Sequence, residues 1–524
     1  MFLKKNRKKF AIFQNTCQKL KKYAMISLRT GKMKQGFNSE KYLELQYQNI
    51  QKKIGLFDEK LYMEFGGKLF DDLHASRVLP GFEPNAKIKL LKKLKNISEI
   101  IIVVSAQSLQ ENKVRADFNL TYGDEVLRLI DNLRSEGLEV SGVVITMFKG
   151  QPTAQMFGKK LENRNERVYY HTYTKGYPHD LETVVSDSGY GANPFIKTTK
   201  KLVVITAPGP NSGKLATALS QLYHEHKNGV KAGYAKYETF PVWNLPLHHP
   251  VNLAYEAATA DLADENQIDT FHLESYGITS VNYNRDLAAF PLLKTILTKI
   301  TGQNAFYKSP TDMGVNMIAS AVYDDEAVQN ASKQEIIRRY FRSLCDEKKG
   351  LIDISVFRRV EALMDKLNIS TNDRKVAKYA LQKQQETSSH IFALELENGE
   401  IVTGRTKTLS AASACILNVI KKLSGIEDAY HLIPESIIKP ILKLNKHILG
   451  ERHELLSLKD ILLALSVSGA TNNKAQKALE ALKHLKGLEA HSTYILSPQD
   501  EETIKKLGIL VTSEPIYPSN KLFE

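Results

Sequence analysis

The sequence predicts an α/β fold, a Rossmann-like doubly wound sheet with a P-loop-like strand–turn–helix. Three observations carry that expectation. Apolar runs rich in β-branched residues recur along the first half of the chain, helical patterns separate them, and one run opens through a Pro/Gly loop directly into a helix. A strand that is apolar at every position has both faces covered, as in parallel sheets flanked by helices.

The elements follow in order. Residues 40–58 read as a helix on Tyr42, Leu43, Leu45, Ile50 and Ile54, and 61–65 as a strand. Residues 87–94 form a helix with a basic face. The continuous apolar runs 99–105 and 142–148 are strands on either side of an amphipathic helix at 124–135, and 167–173 is a shorter strand. Residues 202–207 lead into the loop. In the helix 214–228, Leu215, Ala218, Leu219, Leu222 and Tyr223 keep the 3.6-residue period, and Asn228-Gly229 is a stop signal. Residues 230–237 return as a strand. From about 250 the pattern turns helical, at 252–266, 290–301, 313–323, 333–346, 355–368 and 371–384. A hairpin is expected at 390–403 around Glu397-Asn-Gly-Glu400. Helices follow at 410–423, 434–449 and 473–485, with a last strand at 509–512. The expected division is a basic extension at 1–32 outside the fold, an α/β phosphate- or nucleotide-binding domain at 33–325, a helical region at 326–389, and a smaller α+β C-terminal domain at 390–524.

The net charge of +14 suggests nucleic acid only until it is located. Residues 1–32 hold ten Lys/Arg and no Asp or Glu, which leaves +4 for residues 33–524. A nucleic-acid partner is therefore expected at the extension or not at all. Met33 opens a segment of different character, which makes it the expected true start; the alternative is a basic arm for RNA or an anionic membrane. Cys17, Cys345 and Cys415 form no even framework and no Cys-x-x-Cys pair, which points to a reducing, cytoplasmic setting. No run approaches the roughly 18 apolar residues that a membrane span needs.

The chemistry is concentrated at Leu202-Val-Val-Ile-Thr-Ala-Pro-Gly-Pro-Asn-Ser-Gly-Lys214. A helix N-terminus offers unpaired N–H groups and partial positive charge, so it binds anions. Gly209, Pro210, Asn211, Ser212 and Gly213 would shape the cradle, and Lys214 would supply charge. The spacing departs from the Gly-x-x-x-x-Gly-Lys-Ser/Thr pattern. Pro208 stands where its first glycine belongs and Leu215 where its metal-binding hydroxyl belongs; Thr217 lies past that position. The competing reading is a tight Pro/Gly turn with an incidental lysine. Strand 61–65 ends in Gly66-Gly67-Lys68, strand 99–105 is followed by Gln107, Arg115 and Asp117, and strand 142–148 ends at Lys149. In a parallel sheet these groups meet along the carboxyl edge, which predicts a polyanionic ligand. Solvated rim lysines are the plainer alternative.

Other constellations are weaker. His248-His249 matches no metal spacing and reads as a surface or capping pair, and His224 and His226 read as structural. The Tyr-rich segment 170–180 is a possible substrate loop, and the Gly-rich segment 187–194 a possible lid.

Two long motifs give a family resemblance. Phe65-Gly-Gly-Lys68-Leu-Phe-Asp-Asp-Leu-His-Ala-Ser-Arg-Val-Leu-Pro-Gly-Phe82 and Thr206-Ala-Pro-Gly-Pro-Asn-Ser-Gly-Lys214-Leu-Ala-Thr-Ala-Leu-Ser-Gln-Leu-Tyr-His-Glu225 resemble, in that order, the bacterial domain-of-unknown-function 1846 family. That resemblance runs from about residue 33 to the end. It implies a multi-part α/β protein with a helical part and a C-terminal domain, and no established reaction. The family's loop is richer in glycine where Asn211 stands, and asparagine tolerates the left-handed conformation.

The sequence therefore predicts a protein that binds a phosphorylated small molecule, a nucleotide or sugar phosphate, with phosphoryl transfer or hydrolysis as the associated chemistry. Lys68, Arg115 and Lys149 would counter charge. A bound nucleotide would bring magnesium. Catalytic residues are not assigned; Asp117, Asp124 and Asp180 are the candidates. The alternative is a non-catalytic nucleotide- or metabolite-sensing module with a partner-binding C-terminal half. A homo-oligomer is compatible with either.

Overall fold

The computed structural model describes residues 34–57, 60–115, 120–238, 241–302, 306–450 and 455–519. The basic extension 1–32, Cys17 and Asp117 lie outside them. The chain divides into two compact units, Gln35–Ser332 and a second that contains Lys333–Glu524.

In Gln35–Ser332 the central strands are β1 (Lys60–Phe65), β2 (Ser98–Ser105), β5 (Val140–Thr146), β6 (Val168–Tyr170), β7 (Leu202–Thr206), β8 (Ala232–Tyr237) and β11 (Gly314–Val315). Between them lie two short antiparallel pairs, β3 (Val114–Arg115) with β4 (Leu120–Thr121), and β9 (Asn266–Ile268) with β10 (Val281–Tyr283). The seven central strands form one sheet in the order β11-β8-β1-β7-β2-β5-β6, and each neighbouring pair is parallel.

Burial explains the apolar runs. In β2 every residue from Ile100 to Val104 is at most 1% exposed, so side chains on both faces are covered. On one face Tyr62, Ile101, Val103, Val203, Ile205 and Tyr234 pack with helices Lys214–Lys227 and Asn284–Thr301. The helix Tyr122–Ser135 packs on β2 and β5.

The strand order reverses direction once along the sheet. From β1 the chain steps to β2, β5 and β6 toward one end of the sheet. It returns at β7, between β1 and β2, and then steps to β8 and β11 toward the other end. Connections leave the carboxyl ends of adjacent strands β1 and β7 in opposite directions, and right-handed crossovers then put their helices on opposite faces. Such a reversal leaves a crevice at the strand ends.

The second unit holds helices Ile354–Lys366 and Lys375–Thr387, then a sheet of β12 (Ile391–Glu395), β13 (Ile401–Arg405), β14 (Glu489–Ser492) and β15 (Leu510–Ser513). Its order is β13-β12-β14-β15; β14 and β15 are parallel and the other two ladders antiparallel. Helices Ala411–Leu423 and Leu458–Gly469 bury Ile416, Ile461 and Leu465 against Phe392, Leu394 and Ala490 of the sheet.

Several elements differ from expectation. The helix expected over 252–266 is Pro250–Ala258, because Asn266 opens β9. The helix expected over 313–323 is replaced by Pro310–Met313, β11 and Ile318–Ala321. On the helix Ala86–Leu94, Lys89, Lys92 and Lys93 are exposed as a basic face requires, but Lys87 is turned inward and only 2% exposed.

Candidate functional site

The loop after β7 is held from within. Asn211 adopts φ +56° and Gly213 φ +86°. The buried Ser212 hydroxyl donates to the Gly209 carbonyl at 2.9 Å, and Thr146 Oγ1, at the end of β5, donates to the Ser212 carbonyl at 2.7 Å. A Cβ on Gly209 would collide with the Tyr122 hydroxyl, and one on Gly213 would lie 2.9 Å from Thr146 Oγ1. Both glycines are thus required by the protein's own side chains, whether or not a ligand approaches them. Pro210 and Asn211 are exposed.

Gly213 is the N-cap of helix Lys214–Lys227 and has no side chain to accept from the first-turn amides. Helix ends normally satisfy these donors with a capping oxygen. Lys214 turns inward at 13% side-chain exposure, with Nζ 3.6 Å from Glu64 of β1. Glu64 also accepts the Tyr234 hydroxyl at 2.9 Å. Beside it in register, Lys236 pairs with Asp286 at 2.9 Å. Burial alone would lower the Lys236 ammonium, but Asp286 and Glu64 outweigh it and hold it above its ordinary value. The hydroxyls of Thr206 and Thr217 are buried and make no hydrogen bond.

The second turn on this edge is Gly66-Gly67-Lys68. Gly67 takes φ +66°, and a Cβ there would stand 3.1 Å from Lys87 Nζ. Lys87 donates to the Gly66 carbonyl at 3.3 Å and lies 3.2 Å from both Asp72 and Glu238. Tyr42 donates to Glu238 and hydrogen-bonds the Tyr237 hydroxyl at 2.8 Å. Glu238, directly after β8, holds φ +47°. A buried carboxyl, Glu238, and a partly buried one, Asp72, lie against one ammonium. Burial pushes Glu238 up to about 8. For Asp72 burial also works upward, but Lys87 outweighs it and the carboxyl falls below its ordinary value. Sequence reasoning missed this cluster. Its signal was Lys87 itself, which stands on the stripe of Leu90, Leu91 and Leu94 at helical spacing.

The remaining candidates are dispersed. Lys149 is exposed and lies 4.4 Å from the Tyr173 ring. Arg115 ends β3 opposite Leu120. Asp124 accepts the Thr121 hydroxyl at 2.7 Å, and Asp180 caps the short helix Leu181–Val184. His249 caps Pro250–Ala258 and meets Asp325 at 3.0 Å, while His224 and His226 hydrogen-bond backbone carbonyls. The segment expected as a lid is tied down: Ser220 donates to the Tyr190 carbonyl and Tyr223 to Asp187, each at 2.9 Å. Among the described residues no group of three or more His, Cys, Asp or Glu is placed to hold a metal ion, and no helix is long and apolar enough to cross a membrane.

Comparison with known proteins gives a consistent picture. The model described as "Domain of unknown function DUF1846, N-terminal" matches residues 35–368, and its C-terminal counterpart matches 372–523. The chain belongs to this family. Among its relatives, the UPF0371 protein of Clostridium tetani is 53% identical over 500 residues, 94% of this chain and 99% of the relative. A UPF0371 protein of Clostridium botulinum has the same identity and coverage, and one of Clostridioides difficile is 53% identical over 94% of this chain and all of its own length. Family membership extends over both compact units and brings no reaction with it.

Proposed function

We propose that the unit Gln35–Ser332 binds a phosphorylated small molecule, a nucleotide or sugar phosphate, in the crevice between the carboxyl ends of β1 and β7. The sheet reads as a doubly wound, Rossmann-like array and the loop 207–213 as a P-loop-like turn. The observation that carries the reading is the uncapped N-terminus of helix Lys214–Lys227 at the reversal of strand order, with Lys214 turned toward β1 and not toward bulk water. Free amides and an ammonium group at such a place favour an anion. Glu64 occupies the ammonium meanwhile, so a phosphate would bind by displacing that carboxylate from Lys214.

A sensing module is the better-supported form of this reading. Leu215 supplies no hydroxyl for a nucleotide's magnesium, Thr217 is buried, and Glu64 is engaged by Lys214 and Tyr234. The residues present therefore do not fit a bound metal, and no catalytic step is assigned through one. Turnover in a screen of phosphatase, kinase and NTPase substrates would overturn the sensing form and leave the binding site in place.

Calorimetric titration with nucleotides and sugar phosphates tests the site. Lys214→Ala is expected to weaken binding by about tenfold or more, the value of one charge-assisted contact, and Glu64→Gln to strengthen it. Equal binding by wild type and Lys214→Ala, or none by either, would remove the reading.

A further inference from the structure

The second unit carries a separate cavity of about 420 Å³ along β13, whose lining includes Lys383, Thr403, Gly404, Arg405, Lys407 and Asn418. It lies entirely within Lys333–Glu524 and involves none of the residues of the β1/β7 crevice.

The ladder geometry shows what β13 presents there. The Leu396 amide donates to the Glu400 carbonyl at 2.8 Å, and the Thr406 amide to the His390 carbonyl at 3.1 Å. Residues 400, 402, 404 and 406 therefore turn their peptide groups toward β12. Residues 401, 403 and 405 turn theirs to the open edge, since peptide groups alternate along an antiparallel strand. The Thr403 carbonyl on that edge is satisfied by Asn418 Nδ2 at 3.0 Å. The Thr403 and Arg405 amides point the same way, with no acceptor among the described residues.

The side chains supply matching charge. Arg405 and Lys407 are exposed and make no ion pair among the described residues. Lys383 pairs with Glu386, one turn further along its helix, at 2.8 Å. No carboxylate lines the cavity. Gly404 brings helix Ala411–Leu423 close, because any Cβ there would strike the Ala411 carbonyl and the Cys415 amide. The floor is consequently small and apolar, with Ala414 and Ile391, while the rim is cationic. Asn418 blocks the middle of the edge, which disfavours an added peptide strand and leaves room for a compact ligand.

We propose that this groove binds a compact polyanion, a di- or oligophosphate or a polycarboxylate, gripped by the Arg405 guanidinium, Lys407 and the open-edge amides of β13. A guanidinium fork matches either anion in bidentate geometry. Two separate cations, Arg405 and Lys407, together with the open-edge amides favour a ligand with at least two negative groups.

The test is calorimetric titration of the full chain with inorganic pyrophosphate and, separately, citrate, at low salt. Lys214→Ala serves as the background, so that failure at the β1/β7 crevice and failure here are distinguishable. One equivalent of pyrophosphate, citrate or both is expected to bind to Lys214→Ala. Adding Arg405→Ala and Lys407→Ala should weaken that binding by tenfold or more. Arg405→Lys, which keeps the charge and loses the fork, should fall between and guards against a folding defect in the multiple variant. The two probes assign the anion: pyrophosphate alone indicates phosphates, citrate alone carboxylates, both the shared chemistry. Absence of saturable binding of either probe to Lys214→Ala, or binding indifferent to Arg405 and Lys407, overturns the proposal.

Discussion

Burial pushes the Glu238 carboxyl from 4.5 up to about 8, and its surroundings show how. Lys87 is the ammonium within reach, and Asp72 competes for it at the same 3.2 Å. Burial works upward on both carboxyls, but Lys87 and the Ala75 amide, which donates to Asp72 at 3.2 Å, hold Asp72 below its ordinary value. Tyr42 and Tyr237 stand beside Glu238, and burial pushes the Tyr237 phenol well above its ordinary value. The sign follows from linkage. A carboxyl raised from 4.5 to about 8 contributes stability that is complete below its unfolded value and is lost as pH rises through 8. His171 has the opposite sign: burial pushes it down to about 4, so it costs stability as pH falls below 6.5. Between pH 6.5 and 8 Glu238 is the one of the two still titrating. Urea unfolding of the wild type should lose on the order of 1 kcal/mol per pH unit across that window. Glu238→Gln should flatten it. An unchanged slope in the variant would show that Glu238 is ionised at neutral pH.

At the scale of elements, the loop 207–213 combines local conformation with tertiary contact. Gly213 needs a left-handed backbone and also bare space against Thr146. Gly213→Ala is therefore expected to destabilise the unit by about 1–2 kcal/mol. Asn211→Gly, at a position where the left-handed conformation has no neighbour to satisfy, should be close to neutral in the same thermal unfolding measurement. A cost of Gly213→Ala no larger than that of Asn211→Ala would mean that backbone conformation alone sets the requirement. The same distinction explains how far the sequence could be read. Strands covered on both faces, such as β2 and β7, announce themselves as apolar runs, and Asn398-Gly399 marks the turn between β12 and β13. The strand order that makes the crevice does not, because hydrophobic pattern carries no information about which strand neighbours which. Helix Leu458–Gly469 went unrecognised where apolar residues crowd all round it, and β14, Glu-Ala-His-Ser, has almost no apolar pattern. Its stability comes from partners remote in sequence. Of the candidate site, the loop and Lys214 were legible. Glu64 and the Lys87–Asp72–Glu238 cluster were not, since their meaning depends on register between β1, β7 and β8.

Across the whole molecule, the division by compactness and the division by family model do not coincide. The first compact unit ends at Ser332, whereas the N-terminal family region continues to residue 368. The intervening stretch, and Arg374 just beyond it, supply groups that contact β14 and β15. Arg338 meets Glu489 of β14 at 2.6 Å, and Arg374 meets the same carboxylate at 2.7 Å. Arg374 also donates to Thr512 Oγ1 and to the carbonyls of Ala490 and Leu510. Phe341 packs edge-on against His491 at 5.0 Å, and Cys345 Sγ reaches the Ser513 carbonyl at 3.2 Å. Burial raises the Cys345 thiol to about 12, which disfavours the thiolate at this packed position. A fragment beginning at Lys333 keeps all of these partners. One beginning at residue 370, close to the family boundary, keeps Arg374 but strips Arg338, Phe341 and Cys345 from the sheet. Uncovering β14 and leaving Glu489 with half its counter-charge should cost several kcal/mol, about what breaking a buried ion pair costs. The 333–524 fragment is therefore expected to unfold cooperatively in urea, and the 370–524 fragment to be far less stable or to lack fixed tertiary structure by near-ultraviolet circular dichroism. Equal stability of the two would place the structural boundary at the family boundary and assign the Arg338–Glu489 pair no part in holding the C-terminal sheet.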